Sequence, residues 1–297
     1  MMNGFSKFAK VGTVFFFLFL LISCGTKRTV PITNRTQRIA EGAFSDGQVL
    51  SMIKPIYKKT INQYGDSRNK KQTALVKKVS NKLIQATKTY LQSNGYANEL
   101  RYYEWEVHLI RNPEVNACCY PGGKILVYEP ILDVTVNEAG LAAVLGHEIG
   151  HAIAKHSAEK MTKNAKKMIW QQLGVVSINT IGLIEGDSQE TINQVANSGV
   201  DLSNEIMQYV EMKYSRKQEH EADHIGMVLM AMAGYDPHEA PKVWTRMTQK
   251  YGDSTDRILS THPSNAKRQR WMNEKWMDEA MNYYKPHGNG RQVRRKK

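Results

Sequence analysis

Cysteine is scarce in this chain of 297 residues: Cys24, Cys118 and Cys119 are the whole supply. A disulfide framework is excluded, because adjacent cysteines seldom meet disulfide geometry and neither Cys118 nor Cys119 sits in a CxxC or similar zinc spacing. Both read as small buried hydrophobes. Long apolar runs are also lacking past the first two dozen residues. The most apolar later stretch, Met168 to Ile184, is interrupted by Gln171, Gln172, Ser177, Asn179 and Thr180 and weakened by Gly174 and Gly182. It predicts a helical excursion, or a surface dipping toward a bilayer, rather than a membrane span. There is no internal repeat. Acidic residues are in deficit, 28 against 41 Lys and Arg, leaving a formal charge of +13. No aromatic-basic RNA signature or helix-turn-helix punctuation accompanies that charge, so nucleic acid is not an expected partner. Part of the excess lies in Lys27, Arg28, Arg35 and Arg38 and in Arg291, Arg294, Arg295, Lys296 and Lys297, which read as solvated ends. The front run would also be drawn to anionic lipid headgroups. With 41% hydrophobic and 23% charged residues, disorder of the whole chain is excluded.

What is present begins with an export signal. Lys7 and Lys10 precede the apolar run Val11 to Ile22, which is too short and too close to the N-terminus for a comfortable spanning helix. The following Leu21-Ile22-Ser23-Cys24 resembles the bacterial lipobox, in which the cysteine is lipidated and becomes the new N-terminus. Gly25, rather than Asp, after the cysteine looks like an outer-membrane destination. The expectation is therefore a bacterial envelope protein, held on its membrane by lipid on Cys24 and facing the periplasm. Residues 1–23 would be a signal peptide, 24–45 a tether without sustained periodicity, 46–285 the folded domain and 286–297 a basic disordered tail.

Asp46 caps a predicted helix to about Tyr64, and Asn69 to Leu91 predicts a second with Ala74, Leu75, Val79, Leu83 and Ile84 on one face. Trp105 to Ile110 alternates as a strand does, and Val115 to Tyr120 and Lys124 to Tyr128 flank the turn Pro121-Gly122-Gly123. Thr135-Val136-Asn137-Glu138 fits a capping box opening a helix through His151 to about Lys160. Further helices are predicted from about Ser203 to Ala233, from Asp236-Pro237-His238-Glu239, and from about Ser264 to Tyr284. A mostly helical chain with one small antiparallel sheet is of the α+β class.

His147-Glu148-Ile149-Gly150-His151 is the informative stretch. On an α-helix two histidines four apart differ by only about 40°, so both imidazoles can face one ion with Glu148 beside them. Two histidines and one carboxylate leave zinc a fourth position for water, and the neighbouring glutamate is placed as general base and acid. His156 lies about 180° around the same predicted helix from His147, which makes it a surface or packing residue. The third ligand must come from elsewhere, and Glu219-His220-Glu221-Ala222-Asp223-His224 has the only comparable density of candidates. Spacing does not choose among them. Glu219 and Asp223 share a face, so one can bind metal while the other orients an imidazole, whereas Glu221 is rotated about 200° from Glu219.

Four separated motifs, covering most of residues 100 to 275, give the chain its resemblance to a family. They are Asn116 to Leu132 (NACCYPGGKILVYEPIL), the HExxH helix, Tyr214-Ser215-Arg216 with Glu219 to Asp223, and Thr261-His262-Pro263-Ser264 with Arg268. In this order they resemble the HtpX-like and CAAX-prenyl-protease metallopeptidases, in particular the periplasmic lipoprotein branch of BepA-like and LoiP-like proteins. The resemblance implies a zincin-type domain with one Zn2+, Glu219 as third ligand, and Asp223, Arg216 and Arg268 as supporting residues. It also places His262 near the metal, either stabilising the tetrahedral intermediate or occupying the water position in a closed state. Asn116, Ala117, Cys118, Cys119 and Tyr120 would form an edge strand that takes up an unfolded chain through main-chain hydrogen bonds. Cys118-Cys119 and Glu129-Pro130 depart from the family pattern and bear on pocket selectivity. No helical repeat tail of the BepA kind follows residue 285. The expected activity is endopeptidase cleavage of misfolded or misassembled envelope proteins, with a chaperone-like, client-binding lipoprotein of latent zinc site as the alternative.

Overall fold

The computed structural model describes residues 26–40, 44–164, 214–251, 262 and 266–285. The leader with Cys24, the stretch 168–184, the start of the helix expected from Ser203 and the basic tail lie outside them. The chain divides into two compact units, whose described parts are 26–29, 36–40, 44–52 and 157–164 in the smaller, and 30–35, 53–156, 214–251, 262 and 266–285 in the larger.

The smaller unit corrects one expectation. Part of the segment expected as a featureless tether is a hairpin, with β1 (Thr26–Thr29) antiparallel to β2 (Thr36–Ile39) in the register Thr26↔Ile39. Four-residue strands are too short to show a period in sequence, and only Gln37 and Ile39 of β2 are buried. The connecting residues 30–35 belong to the larger unit, where Val30 and Ile32 are part of the core.

Helix α1 spans Asp46–Tyr64, and α2, Lys70–Ser93, is capped by Asn69, whose side chain accepts from the Gln72 N–H. The buried face of α2 is centred on Val76, Val79, Leu83 and Leu91, and Ala74 is exposed. Three strands follow, β3 (Glu106–Ile110), β4 (Ala117–Tyr120) and β5 (Lys124–Tyr128), in the order β3-β5-β4. The β4-β5 hairpin is antiparallel as expected, but β3 runs parallel to β5, so the sheet is mixed. Strand periodicity reports faces and not directions, which is why the parallel pair was illegible. β5 is buried throughout, and β4 is an edge. Gly122 and Gly123 turn the hairpin at φ of 81° and 80°, and a Cβ on Gly123 would lie 2.7 Å from the Trp105 ring.

After the short helix α3 (Leu132–Thr135), Val136 takes the left-handed φ of 64°, and Asn137 caps α4 (Glu138–Ile153) by accepting from the Gly140 N–H at 2.7 Å. Thr135 is therefore not the cap; it already belongs to the preceding helical turn. α4 also stops early. Ala154 closes it, Lys155 turns at φ 52°, and a new helical stretch begins at 156. Helix α5 (Arg216–Met232) opens on a capping box of Ser215 and Gln218 and ends at Gly234, φ 82°. α6 (Glu239–Tyr251) presents the buried Trp244. The last predicted helix is divided: α7 (Ala266–Trp271) passes through a π-helical turn, Met272–Trp276, into α8 (Met277–Tyr283).

The core joins α2, the sheet, α4, α5 and α6. Its tightest seam is between α4 and α5, where Gly146 and Gly150 face Ala222 and Gly226. A Cβ on Gly146 would lie 2.9 Å from the Gly226 carbonyl oxygen, and one on Gly226 would lie 2.7 Å from the His147 nitrogen. Such contact brings two helix backbones closer than ordinary side chains allow. No described helix is long and apolar enough to cross a membrane.

Candidate metal centre

That seam decides where the ligands meet. His147 and His151 point from α4 toward the first turns of α5, which supply Glu219 and, one turn on, Asp223; all four are buried. His262, from outside the regular elements, completes the cluster. His147 Nε2 lies 3.1 Å from His151 Nε2 and 3.2 Å from His262 Nδ1. Glu219 Oε1 lies 3.0 Å from His262 Nδ1 and 3.4 Å from His151 Nε2, and Glu219 Oε2 lies 3.5 Å from His147 Nε2. Ligand atoms arranged tetrahedrally about 2.0–2.1 Å from one zinc are separated by about 3.3–3.4 Å. These separations, with all four groups offering a ligand atom within 4.8 Å of one another, suit the binding of one ion.

Their hydrogen bonding agrees. His147 Nδ1 meets Asp223 Oδ1 at 2.8 Å, which assigns its proton to Nδ1 and turns the Nε2 lone pair toward the other ligands. A proton at the centre would serve only one of these acceptors at a time, whereas a cation serves all of them. Burial alone would lower the basicity of His147, but hydrogen bonds to Asp223 and Glu219 outweigh it and raise its pKa to about 9. Burial holds His151 well below the usual imidazole range. For Glu219, burial is outweighed by His262, Arg268 and the two other histidines, which keep the carboxyl well below its ordinary range. The donor set of imidazoles and one carboxylate, with Glu219 Oε2 buried and outside hydrogen-bond geometry, fits a zinc ion.

Arg268 holds this arrangement from behind. Its Nε and Nη2 each donate at 2.7 Å to the two oxygens of Asp223, its Nη1 is 3.1 Å from Glu219 Oε2, and its plane lies 4.3 Å from the Trp244 ring. Burial works against the Asp223 carboxylate, but Arg268 and His147 hold its pKa below the ordinary value. Trp244 packs on His147 at 5.1 Å, and Tyr214 stacks on His151 at 4.0 Å. Arg216, expected as a further support, is exposed in the first turn of α5 and forms no ion pair with Glu219 or Asp223 among the described residues. The capping box fixes that turn with the Arg216 side chain outside.

Glu148 lies on the other side of the cluster. Its Oε1 is buried, has no hydrogen-bond partner and is 3.6 Å from His262 Nε2. Burial raises its pKa, the direction that suits a general base working near neutral pH. The Cys119 N–H donates to this carboxylate. In the antiparallel ladder Asn116 O bonds to Tyr128 N, so alternation turns the main-chain groups of Ala117 and Cys119 away from β5, where the Ala117 N–H donates to Asn116 Oδ1 at 2.9 Å and the Cys119 N–H to Glu148. The β4 side of the sheet, which pairs with no further strand among the described residues, therefore faces Glu148. Both cysteines are free thiols; Cys119 is buried but Cys118 only partly so. Burial and the nearby Glu148 push the Cys118 pKa up to about 12 and that of Cys119 well above its usual value.

One group escaped sequence reasoning. His156 is fully buried, with Nδ1 2.8 Å from His151 Nδ1 and Nε2 3.0 Å from Glu221 Oε2. The azimuth drawn for it assumed an unbroken helix, and the left-handed Lys155 redirects it. Glu221 looks away from the ligand cluster, as its rotation suggested, and meets His156, Arg35 and Thr33 instead. The sequence signal for this seam is two i,i+4 pairs of small residues, Gly146/Gly150 and Ala222/Gly226.

A buried HExxH helix, a glutamate from a second helix and an edge strand beside Glu148 define a metallopeptidase domain of the zincin type. Residues 77–275 match the sequence model of peptidase family M48, and the chain belongs to that family. It is 34% identical over 257 residues to the mitochondrial metalloendopeptidase OMA1 of Schizosaccharomyces pombe, covering 84% of this chain and 66% of that protein. The Arabidopsis thaliana protein of the same name is 34% identical over 195 residues, 65% of this chain and 36% of its own. The beta-barrel assembly-enhancing protease of Yersinia pestis is 24% identical over 229 residues, 76% and 41% respectively. The chain thus spans about a third to two thirds of the length of these relatives.

Proposed function

We propose that this protein is a zinc-dependent metalloendopeptidase, anchored by lipid on Cys24 in a bacterial envelope, that cleaves misfolded or misassembled envelope proteins. The observation that carries the activity is the placing of Glu148 between the His147, His151, Glu219 and His262 cluster and the edge strand β4. Bound zinc supplies Lewis acidity toward a water and toward the scissile carbonyl. His147, His151 and Glu219 would hold it. Glu148 takes the proton of the attacking water at its unpartnered oxygen and passes it to the leaving amine. An extended substrate would be taken up along the β4 edge as an added strand, a mode that asks little of side-chain sequence and so suits unfolded chains. The lipobox-like Leu21 to Cys24 supports the anchor, and Gly25 the outer-membrane face toward the periplasm.

A second reading is favoured by one distance set: His262 Nδ1 lies 3.2 Å from His147 Nε2 and 3.0 Å from Glu219 Oε1, close enough that His262 would help to hold the ion beside His147, His151 and Glu219. Four protein ligands would leave the ion no place for water, and a protein held in that state would bind clients without cutting them.

The test is zinc stoichiometry and casein cleavage by the full chain, with and without chelator, beside Glu148→Gln. One zinc per chain and chelator-sensitive cleavage lost in the variant is the expected result. Full cleavage by a pure, zinc-loaded Glu148→Gln protein overturns the mechanism. Cys24→Ser should abolish fatty-acid labelling, and undiminished labelling would remove the anchor.

A further inference from the structure

We infer that His156 and Glu221 are positioning residues for the metal ligand His151, and that Thr33 and Arg35 lock them from a loop that precedes the family-matched region. The inference rests on the metal reading above. The two HExxH histidines are supported unequally. His147 gives its Nδ1 proton directly to the carboxylate of Asp223. His151 faces no carboxylate with its Nδ1; it faces the Nδ1 of His156 at 2.8 Å.

Two facing imidazole nitrogens form a hydrogen bond only if one is protonated and the other is not. A ligand that presents Nε2 to metal carries its proton on Nδ1, so His151 is the donor and His156 Nδ1 the acceptor. His156 must then carry its proton on Nε2, where Glu221 Oε2 waits at 3.0 Å. Every bond in the row points the same way, from ligand to carboxylate.

Glu221 is fixed as a charged acceptor in turn. Arg35 donates through Nε at 2.7 Å and has Nη2 2.6 Å from the same oxygen, while the Thr33 hydroxyl donates to Oε1. Gln218 Nε2 adds a bond to the His156 carbonyl at 3.4 Å. The row is buried at His156 and Glu221 and fixes both the tautomer and the ring plane of His151, the task that outer partners of metal-binding histidines perform. The matched family region begins at residue 77, so Thr33 and Arg35 lie outside it. They are nonetheless part of this metal centre.

The experiment measures zinc affinity by chelator competition, and Tm with and without zinc, for the full chain and for Glu221→Gln, Arg35→Ala, Arg35→Lys and Thr33→Val. A positioning role predicts zinc binding about 10- to 100-fold weaker in Glu221→Gln, as for other outer-partner losses. It also predicts a smaller zinc-induced rise in Tm, with a loss in Arg35→Ala that Arg35→Lys partly restores. A merely structural role lowers the Tm of the metal-free protein and leaves the zinc-induced rise unchanged. Wild-type affinity in folded Glu221→Gln, or in Arg35→Ala with Thr33→Val should Glu221→Gln not fold, overturns the inference while the metal reading stands. A wild-type chain that binds no zinc overturns both.

Discussion

A Cβ placed on Gly150 would lie 2.8 Å from the carbonyl oxygen of Ala222, so the HExxH helix α4 and the helix α5 that supplies Glu219 touch backbone to backbone. Gly150 sits inside the HExxH motif, between Ile149 and His151, and its missing side chain is what brings Glu219 within reach of both histidines. Gly150→Ala must push the helices apart. A loss of about 1–3 kcal/mol is expected from overpacking, read by chemical denaturation, together with weaker zinc binding. Stability and metal content equal to wild type would show that the seam yields without consequence.

The parts of this site that lie on unbroken helices were legible in the sequence, because a fixed 100° per residue carries His147 to His151 and Glu219 to Asp223 onto common faces. Legibility ended where the chain leaves that geometry. Lys155, a non-glycine residue in the left-handed region, turns His156 inward, and nothing in its side chain announces it. The parallel β3-β5 pair and the four-residue strands β1 and β2 were hidden because alternation is blind to direction and too short to register. The role of Arg268 rather than Arg216 is a matter of tertiary approach: both are arginines near the motif, but only Arg268 is buried against Asp223.

Arg268 compensates two buried carboxylates at once, which makes its removal costly. Arg268→Ala leaves Asp223 and Glu219 without their guanidinium, and breaking a buried pair from one side costs about 3–5 kcal/mol. Arg268→Lys keeps the charge but lacks the fork that holds both Asp223 oxygens, so it should recover only part of the loss. Thermal unfolding of the metal-free proteins would measure this, and a full rescue by lysine would show that charge alone matters.

Acid sensitivity follows from Glu221. Burial raises its pKa, but hydrogen bonds from His156, Arg35 and Thr33 outweigh it and bring it down to about 2, from an ordinary 4.5. A carboxyl depressed on folding stabilises the protein fully above its unfolded pKa, and the benefit fades as pH falls through the folded value. The stability difference between wild type and Glu221→Gln should therefore be constant above about pH 5 and shrink toward pH 2. A difference independent of pH across that window would mean that the charge of Glu221 contributes nothing.

His262 gives the sharpest prediction about latency. Its Nδ1 is 3.2 Å from His147 Nε2 and 3.0 Å from Glu219 Oε1, where it would serve as a fourth ligand, and its Nε2 stands 3.6 Å from Glu148 Oε1. Removing the imidazole leaves His147, His151 and Glu219, the three protein ligands of an open catalytic site. His262→Ala should therefore retain one zinc, bind it more weakly, and cleave casein several-fold faster than wild type. The same variant carrying Glu148→Gln should be inactive, which separates a released active site from a contaminating protease. If His262→Ala instead retains zinc but cuts more slowly, the imidazole serves the transition state rather than the closed one, because a group that only blocks the site cannot slow the reaction by leaving it.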